Sequence, residues 1–306
     1  MSETVTIGAL WRRWRDELTE KGFATPTLDA KLLVGHVLGL DALQLAINEG
    51  ETVSNTLTLS LADVLKRRLS DESVARIIGH REFYGLDFGL NGATLEPRPD
   101  TELLVDLALE ALPEGGRLLD MGTGTGCIPI AVLVNRPDAV GVATDVSMEA
   151  LAQAGDNAQR HGVEGRLTLR QGDWFGALMS PDPRPPHPAL RADLSPRGRG
   201  EERFDLILSN PPYIESAVVE TLAVEVREFD PRLALDGGPD GIAPYRVIAA
   251  EAANWLRPGG RVLVEIGYDQ GETVSALFLA AGFQDVAVHK DLAGLDRVVS
   301  AHHINN

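Results

Sequence analysis

The sequence predicts an α/β protein: a mostly parallel sheet covered by helices on both faces, preceded by a small helical bundle. Three observations predict it. From residue 96 onward, short apolar runs alternate with helical patterns, as strands joined by crossover helices do. Residues 5–70 carry helical periodicity alone. The last two apolar runs, Phe283–Asp291 and Leu295–His303, lie too close together for a crossover helix, so they should form an antiparallel hairpin.

The elements follow in order. Residues 1–75 form the bundle. Ile7–Leu18 places Leu10, Trp11, Trp14 and Leu18 at helical spacing, which puts both tryptophans in a core. Thr27–Leu40 starts on a Thr cap, and Thr58–Glu72 repeats the pattern. Residues 76–95 form a β-hairpin connector, given the aromatic alternation of Arg81–Asp100 and its Asn91–Gly92 pair. Residues 96–306 form the α/β domain. Its strands are Gly116–Gly122, Ala139–Asp145, Gly165–Asp173, Phe204–Asn210 and Gly260–Gly267, followed by the two of the terminal hairpin. Helices start at Cys127, Ser147, Tyr245 and Glu272. Residues 180–203 hold six prolines and no apolar periodicity, and read as a flexible surface insertion between the third and fourth strands.

Composition narrows the function. Of the 306 residues, 44% are hydrophobic and 24% charged, enough for a real core in a soluble chain. Apolar runs such as Ile128–Val134 fall far below the ~20 residues of a membrane span. The N-terminus lacks the pattern of a secretory signal. A single cysteine, Cys127, rules out an internal disulfide and argues against a cysteine-based zinc site. No metal is expected, and a reducing, cytoplasmic location fits. The net charge is −17, from 45 acidic and 28 basic residues, which argues against duplex nucleic acid as the main ligand.

Residues with chemistry gather at strand ends. Gly122, Thr123, Gly124, Thr125 and Gly126 form a glycine loop between a strand and a helix, where the backbone can turn sharply and approach a ligand. It is not a dinucleotide fingerprint, because Cys127 stands where the third glycine or alanine belongs. It is not a P-loop, because no Lys-Ser or Lys-Thr follows. Asp145 ends the next strand and could accept from two ribose hydroxyls. Asp120, beside the loop, suits a cationic ligand such as a sulfonium. Asp173 and Trp174 end the third strand, where they could meet an adenine amino group and its ring face. Each has a bland alternative: Asp145 as a helix cap, Trp174 as core. Together they describe a pocket for a nucleoside joined to an amino acid without pyrophosphate, as in S-adenosylmethionine, at the strand ends where open α/β sheets bind ligands.

The fourth strand ends in Asn210, Pro211, Pro212 and Tyr213. A strand-to-loop turn is the simplest reading. The chemical reading is a holder for a flat nitrogen-bearing substrate. The Asn210 side-chain oxygen and the Pro211 carbonyl would accept the two N–H bonds of an amine or amide. The prolines would fix both acceptors in place, and Tyr213 would stack on the flat group. Acceptors aimed where the nitrogen becomes tetrahedral and positive favour the transition state.

At this point the chain resembles a known family, the protein-(glutamine-N5) methyltransferases of peptide chain release factors, of the HemK or PrmC type. The resemblance rests on Glu96–Asp106, on the glycine loop from Leu118 to Ala131, on Gln171–Phe175, on Ser209–Ile214 and on Asp230–Ile248, and it spans nearly the whole chain. It implies a Rossmann-like, seven-stranded S-adenosylmethionine-dependent methyltransferase sheet with an antiparallel last strand. It implies that Gly122–Gly126, Asp145 and Trp174 bind the cofactor, with Asp173 and Asn210 adjoining it, and that Asn210–Tyr213 hold the substrate glutamine. It implies a release factor as partner, docked with help from the N-terminal bundle. Two departures stand out: Asp230 where the family more often has Glu, and the 180–203 insertion. Two other readings stay open, an adenine-N6 methyltransferase of DNA or RNA with the same tetrapeptide, and a non-enzymatic translation-factor binding module.

Overall fold

The computed structural model describes residues 5–179 and 203–304. Backbone contacts divide the chain into two compact units, Met1–His80 and Arg81–Asn306.

The first unit packs five helices: α1 (Ile7–Glu20), α2 (Pro26–Leu38), α3 (Ala42–Ile47), α4 (Asn55–Leu69) and α5 (Val74–Ile78). Trp14 and Leu18 of α1 are buried with Leu33 and Val34 of α2 and Leu61 of α4, which explains the spacing read in the sequence. The start of α2 differs from the Thr27 expectation. Pro26 occupies the first turn and Thr25 precedes it, because a proline there has a preset φ and gives up no helical hydrogen bond. The Thr25 hydroxyl donates to Asp29 Oδ1 at 2.7 Å. Asp29 in turn forms a buried ion pair with Arg68 of α4 at 2.9 Å, and the Arg68 guanidinium lies 4.0 Å from the Phe23 ring centroid.

A two-stranded hairpin follows, β1 (His80–Phe83) and β2 (Leu86–Gly89). Its two-residue turn is Tyr84–Gly85, with φ of 55° and 72°, as a turn matched to the twist of the strands requires. The Asn91–Gly92 pair lies beyond the hairpin. A tyrosine in the left-handed region is costly. Two contacts hold it there: its backbone N–H donates to Glu102 Oε1 at 2.9 Å, and its hydroxyl to Asp106 Oδ1 at 2.6 Å.

A 3-10 turn at Pro99–Thr101 leads into α6 (Glu102–Ala111). Then come β3 (Arg117–Met121), α7 (Cys127–Asn135), β4 (Val140–Asp145), α8 (Met148–Arg160), β5 (Leu167–Gln171), α9 (Gly176–Met179) and β6 (Phe204–Ser209). Two short helices, α10 (Ser216–Val219) and α11 (Val224–Arg227), precede α12 (Ala243–Trp255), β7 (Leu256–Glu265), α13 (Gly271–Ala280), β8 (Gln284–Lys290) and β9 (Asp296–His302). The seven strands β3–β9 form one sheet in the order β5-β4-β3-β6-β7-β9-β8. The pairs from β5 to β7 are parallel, and β9 runs antiparallel to both β7 and β8. The expected terminal hairpin is therefore present, with the last strand on its inner side.

Side chains alternate across this sheet as strand geometry demands. Leu118, Leu206 and Leu208 join one apolar layer with α6, α7 and α8. Leu119, Met121 and Ile207 join the other with α12 and α13. The proline-rich stretch 180–203 lies outside the described residues except for Arg203.

Candidate active site

The carboxyl ends of β3, β4, β5 and β6 open onto a cleft of about 560 Å³, within the usual range for small-molecule sites. Gly122, Thr123, Gly124, Thr125, Asp145, Asp173, Trp174, Asn210 and Pro212 lie on its wall. Gly126, Pro211 and Tyr213 do not.

The glycine loop is shaped by its own backbone. Gly122, Gly124 and Gly126 have φ of 70°, 54° and 79°, which side chains rarely adopt. The N–H groups of Gly122 and Thr123 both donate to the Thr144 carbonyl, at 2.9 and 3.0 Å. A β-carbon on Gly122 or Gly124 would meet nothing within 4 Å, so the space over the loop is open. Gly126 is different: a β-carbon there would come within 2.9 Å of Ile130 Cδ1. Its role is close packing under α7.

Asp145 ties this loop to the next strand. Its Oδ2 accepts from Gly124 N–H at 2.9 Å and its Oδ1 from Ser147 N–H at 2.9 Å. Each oxygen keeps a further lone pair. The cap of α8 is Ser147, whose hydroxyl accepts from Ala150 N–H, so Asp145 does not cap that helix. Asp173 is exposed, and Trp174 is half-buried against the α12 layer with φ of 43°. Asn157 of α8, fully buried, joins the loop to the hairpin: its Nδ2 donates to Thr125 O at 2.9 Å and Gly89 O at 3.1 Å, and its Oδ1 accepts from Gly89 N–H at 2.8 Å.

Asp120 sits behind the loop, fully buried, with neither carboxylate oxygen hydrogen-bonded. Burial raises its pKa to about 7, and the charge of Asp145 adds to this. The Thr123 hydroxyl opposes the shift from outside hydrogen-bonding geometry. A carboxyl raised in the folded state binds its proton more tightly there than in the unfolded chain. Its contribution to stability is complete below the ordinary carboxylate range and is lost as pH rises towards 7. Without ligand, Asp120→Asn is therefore expected to flatten the fall in stability between about pH 4 and pH 7, measured by urea unfolding at a series of pH values. An unchanged slope would exclude Asp120 as its source.

The Asn210–Tyr213 segment is clamped from behind. Gln270 Nε2 donates to Tyr213 O at 2.9 Å and Gly241 O at 3.3 Å, while its Oε1 accepts from Gly267 N–H at 2.9 Å. Ile214 N–H donates to Leu235 O at 3.0 Å, and Gly237 N–H to Ile214 O at 2.8 Å. A β-carbon on Gly241 would meet Tyr213 O at 2.5 Å, so only glycine permits this approach. The Asn210 amide nitrogen donates to Thr101 Oγ1 at 3.3 Å. Pro211 is buried and Tyr213 half-buried. Burial pushes the Tyr213 hydroxyl up to about 12, with the charge of Glu265 adding to it.

Asp230, the residue that departs from the resembled family, accepts from Arg98 Nη2 at 2.8 Å. This pair fastens Arg98 and Pro97 of the cleft wall to the segment carrying Pro231, Leu233 and Ala234 on the same wall. Sequence reasoning missed Thr101, Asn157, Glu265 and Gln270 as site residues. Glu265 did leave a trace: an acidic residue interrupts the otherwise apolar run Val262–Ile266.

Comparison with known proteins identifies the setting. Residues 9–79 match the family described as PrmC N-terminal domain, and residues 112–280 a methyltransferase domain. A relative from Agrobacterium fabrum, named release factor glutamine methyltransferase, is 42% identical over 301 residues and covers 96% of each chain. The chain belongs to the release factor glutamine methyltransferase family. A member from Caulobacter vibrioides is 41% identical over 298 residues, covering 97% of this chain and 96% of its own. One from Rhodospirillum rubrum is 40% identical over 298 residues, covering 97% of this chain and 85% of its own. The chain is thus an enzyme of methyl transfer with S-adenosylmethionine as methyl donor.

Proposed function

We propose that this chain methylates the side-chain amide nitrogen, N5, of the glutamine in the Gly-Gly-Gln motif of peptide chain release factors, and does so in the cytoplasm. One observation carries the reading. The Asn210 amide nitrogen is engaged by Thr101, so its oxygen is left to accept from a substrate N–H on the wall of the glycine-loop cleft.

The residues present suit S-adenosylmethionine. Open space over Gly122 and Gly124 admits it to the loop formed by Gly122–Gly126. The remaining lone pairs of Asp145 take the ribose hydroxyls. Asp173 accepts from the adenine amino group, and Trp174 packs on the adenine face. Asn210 adjoins the cofactor as well as the substrate. When bound, the donor supplies an electrophilic methyl group.

The chain's own residues do the rest. An amide nitrogen is a weak nucleophile because its lone pair is delocalised. Asn210 Oδ1 and the Pro211 carbonyl accept its two N–H bonds and stabilise the positive charge that grows on it as it becomes tetrahedral. Pro211 and Pro212 hold these acceptors rigid. Tyr213, neutral because its hydroxyl titrates near 12, offers its ring as a flat uncharged surface for the amide. Once methylated, the cationic nitrogen is strongly acidic and gives its proton to solvent water, so no general base is required. The N-terminal bundle, residues 1–75, docks the protein substrate. A net charge of −17 opposes a polyanionic ligand. Among the described residues no helix is long and apolar enough to cross a membrane.

The test is methyl transfer from labelled S-adenosylmethionine to purified release factor, DNA and ribosomal RNA in parallel. Label on the release factor, placed on the Gly-Gly-Gln glutamine by peptide mass spectrometry, is the expected result. Label on nucleic acid alone would establish the adenine-N6 reading instead. No label on any of the three would favour the binding module.

A further inference from the structure

The buried carboxylate of Glu265 takes no part in the reaction just described, yet Glu265 stands beside Asn210 at the strand ends. In the parallel pairing of β6 and β7, Ser209 is opposite Val264. The next residues, Asn210 and Glu265, therefore leave the sheet side by side. Thr101 comes from the 3-10 turn before α6. Thr101 and Glu265 are 2% and 1% exposed. Asn210 and Thr101 lie on the cleft wall, and Glu265 does not.

The two ends of a carboxamide have nearly the same shape, so packing alone does not choose between them. Turned over, Asn210 would present N–H to a substrate N–H and repel it. The Thr101 hydroxyl accepts from Asn210 Nδ2 at 3.3 Å, but a hydroxyl can also donate, and a donating Thr101 would receive the overturned amide equally well. The choice is made by whatever takes the single Thr101 hydrogen. Glu265, beside Asn210 in the register of β6 and β7, holds a buried Oε2 with no hydrogen-bond partner of its own; its charged form is favoured by the Thr101 hydroxyl and by the Asn210 side chain, and an ionised carboxylate can only accept.

We propose that Thr101 and Glu265 are positioning residues that fix the Asn210 amide with its nitrogen turned inward and its oxygen presented to the substrate nitrogen. The proposal rests on the reading of Asn210 as substrate acceptor.

The arrangement requires Glu265 to be ionised, since a protonated carboxyl could donate to Thr101 and free its hydrogen. Burial raises the Glu265 pKa to about 7. The Thr101 hydroxyl, the Arg297 charge and Asn210 oppose the rise, and Asp100 adds to it. Arg297 of β9 is shared with Asp100 at 3.2 Å and Asp291 at 3.0 Å. The other titratable groups facing Glu265 are neutral in this range: the Tyr213 and Tyr245 phenols and the Cys127 thiol, all raised by burial.

The experiment compares full-length wild type, Thr101→Val, Thr101→Ser, Glu265→Gln and Asn210→Ala. It records kcat and KM with a release factor, Kd for S-adenosylmethionine by calorimetry, and kcat from pH 5.5 to 9 at saturating donor, so that titration of Asp120 falls on affinity. Thr101→Val, of nearly the same shape, is expected to lose about 30- to 100-fold in kcat with donor Kd within about twofold. Thr101→Ser should stay within about threefold. Wild-type kcat should rise with pH through about 7, and Glu265→Gln should be low and flat across that range. The proposal is overturned if Thr101→Val keeps wild-type kcat, if Thr101→Ser falls as far as Thr101→Val, or if the limb near pH 7 survives in a folded Glu265→Gln. Should Glu265→Gln fail to fold, the Thr101 pair decides alone. An active Asn210→Ala would overturn the acceptor reading itself. An inactive Asn210→Ala beside a fully active Thr101→Val would overturn only the positioning.

Discussion

Asn210→Ala is expected to lower methyl-transfer turnover by about 10²–10³-fold while leaving the affinity for S-adenosylmethionine within about twofold. The argument is one of differential stabilisation. An amide substrate gains little from an acceptor in its ground state, where its N–H bonds are equally content with water. It gains much more as the nitrogen becomes cationic, because a fixed dipole in a cleft need not reorganise. Alanine removes that dipole and leaves the strands beneath it in place, since Ser209 still donates to Met121 O at 2.8 Å. Single-turnover kinetics would report the chemical step and titration calorimetry the donor affinity. A fall in donor affinity matching the fall in rate would reassign Asn210 to cofactor binding.

The second large effect is expected at Asp145. Asp145→Ala should weaken S-adenosylmethionine binding by about 10- to 100-fold, as the loss of one or two charge-assisted hydrogen bonds does. It should also destabilise the ligand-free fold by about 1–3 kcal/mol, because the Gly124 and Ser147 N–H groups both lose their acceptor. Asp145→Asn separates the two contributions. Its one remaining carbonyl oxygen can serve only one of the backbone donors without a charge. Unchanged donor affinity in the alanine variant would remove Asp145 from the ribose site.

What was legible in the sequence was what local pattern encodes. The glycine loop, Asp145 and the Asn210–Pro212 run all sit at strand ends, and strand ends can be read from apolar runs and turn residues. The start of α2 was displaced because Thr27 resembles a cap, whereas Pro26 in the first turn sets the boundary. The hairpin is legible within residues 76–95, but the Asn91–Gly92 pair, which favours a positive φ, lies beyond its turn. The actual turn places a tyrosine at positive φ, supported by Glu102 and Asp106 from 18 and 22 residues downstream. Thr101 and Glu265 were invisible for a related reason. Thr101 meets Asn210 from 109 residues away through a turn, Glu265 is brought beside it from a neighbouring strand by sheet register, and no local pattern encodes either. Tyr213 packs partly against the α12 layer, a contact for its ring that spacing does not reveal.

The position of β9 carries a consequence for synthesis. Leaving the ribosome after every other strand described, it must dock against β7 before β8, which pairs with it alone, can join the sheet. Until it does, Glu265 has no Arg297 near it, and Val298, Val299 and Ala301 are missing from the two apolar layers. The nascent chain can assemble its glycine loop early, but the setting of Asn210 is completed only after every other described strand has been made. A chain cut short before Asp296 would keep the recognisable motifs and lack the assembly that aims them.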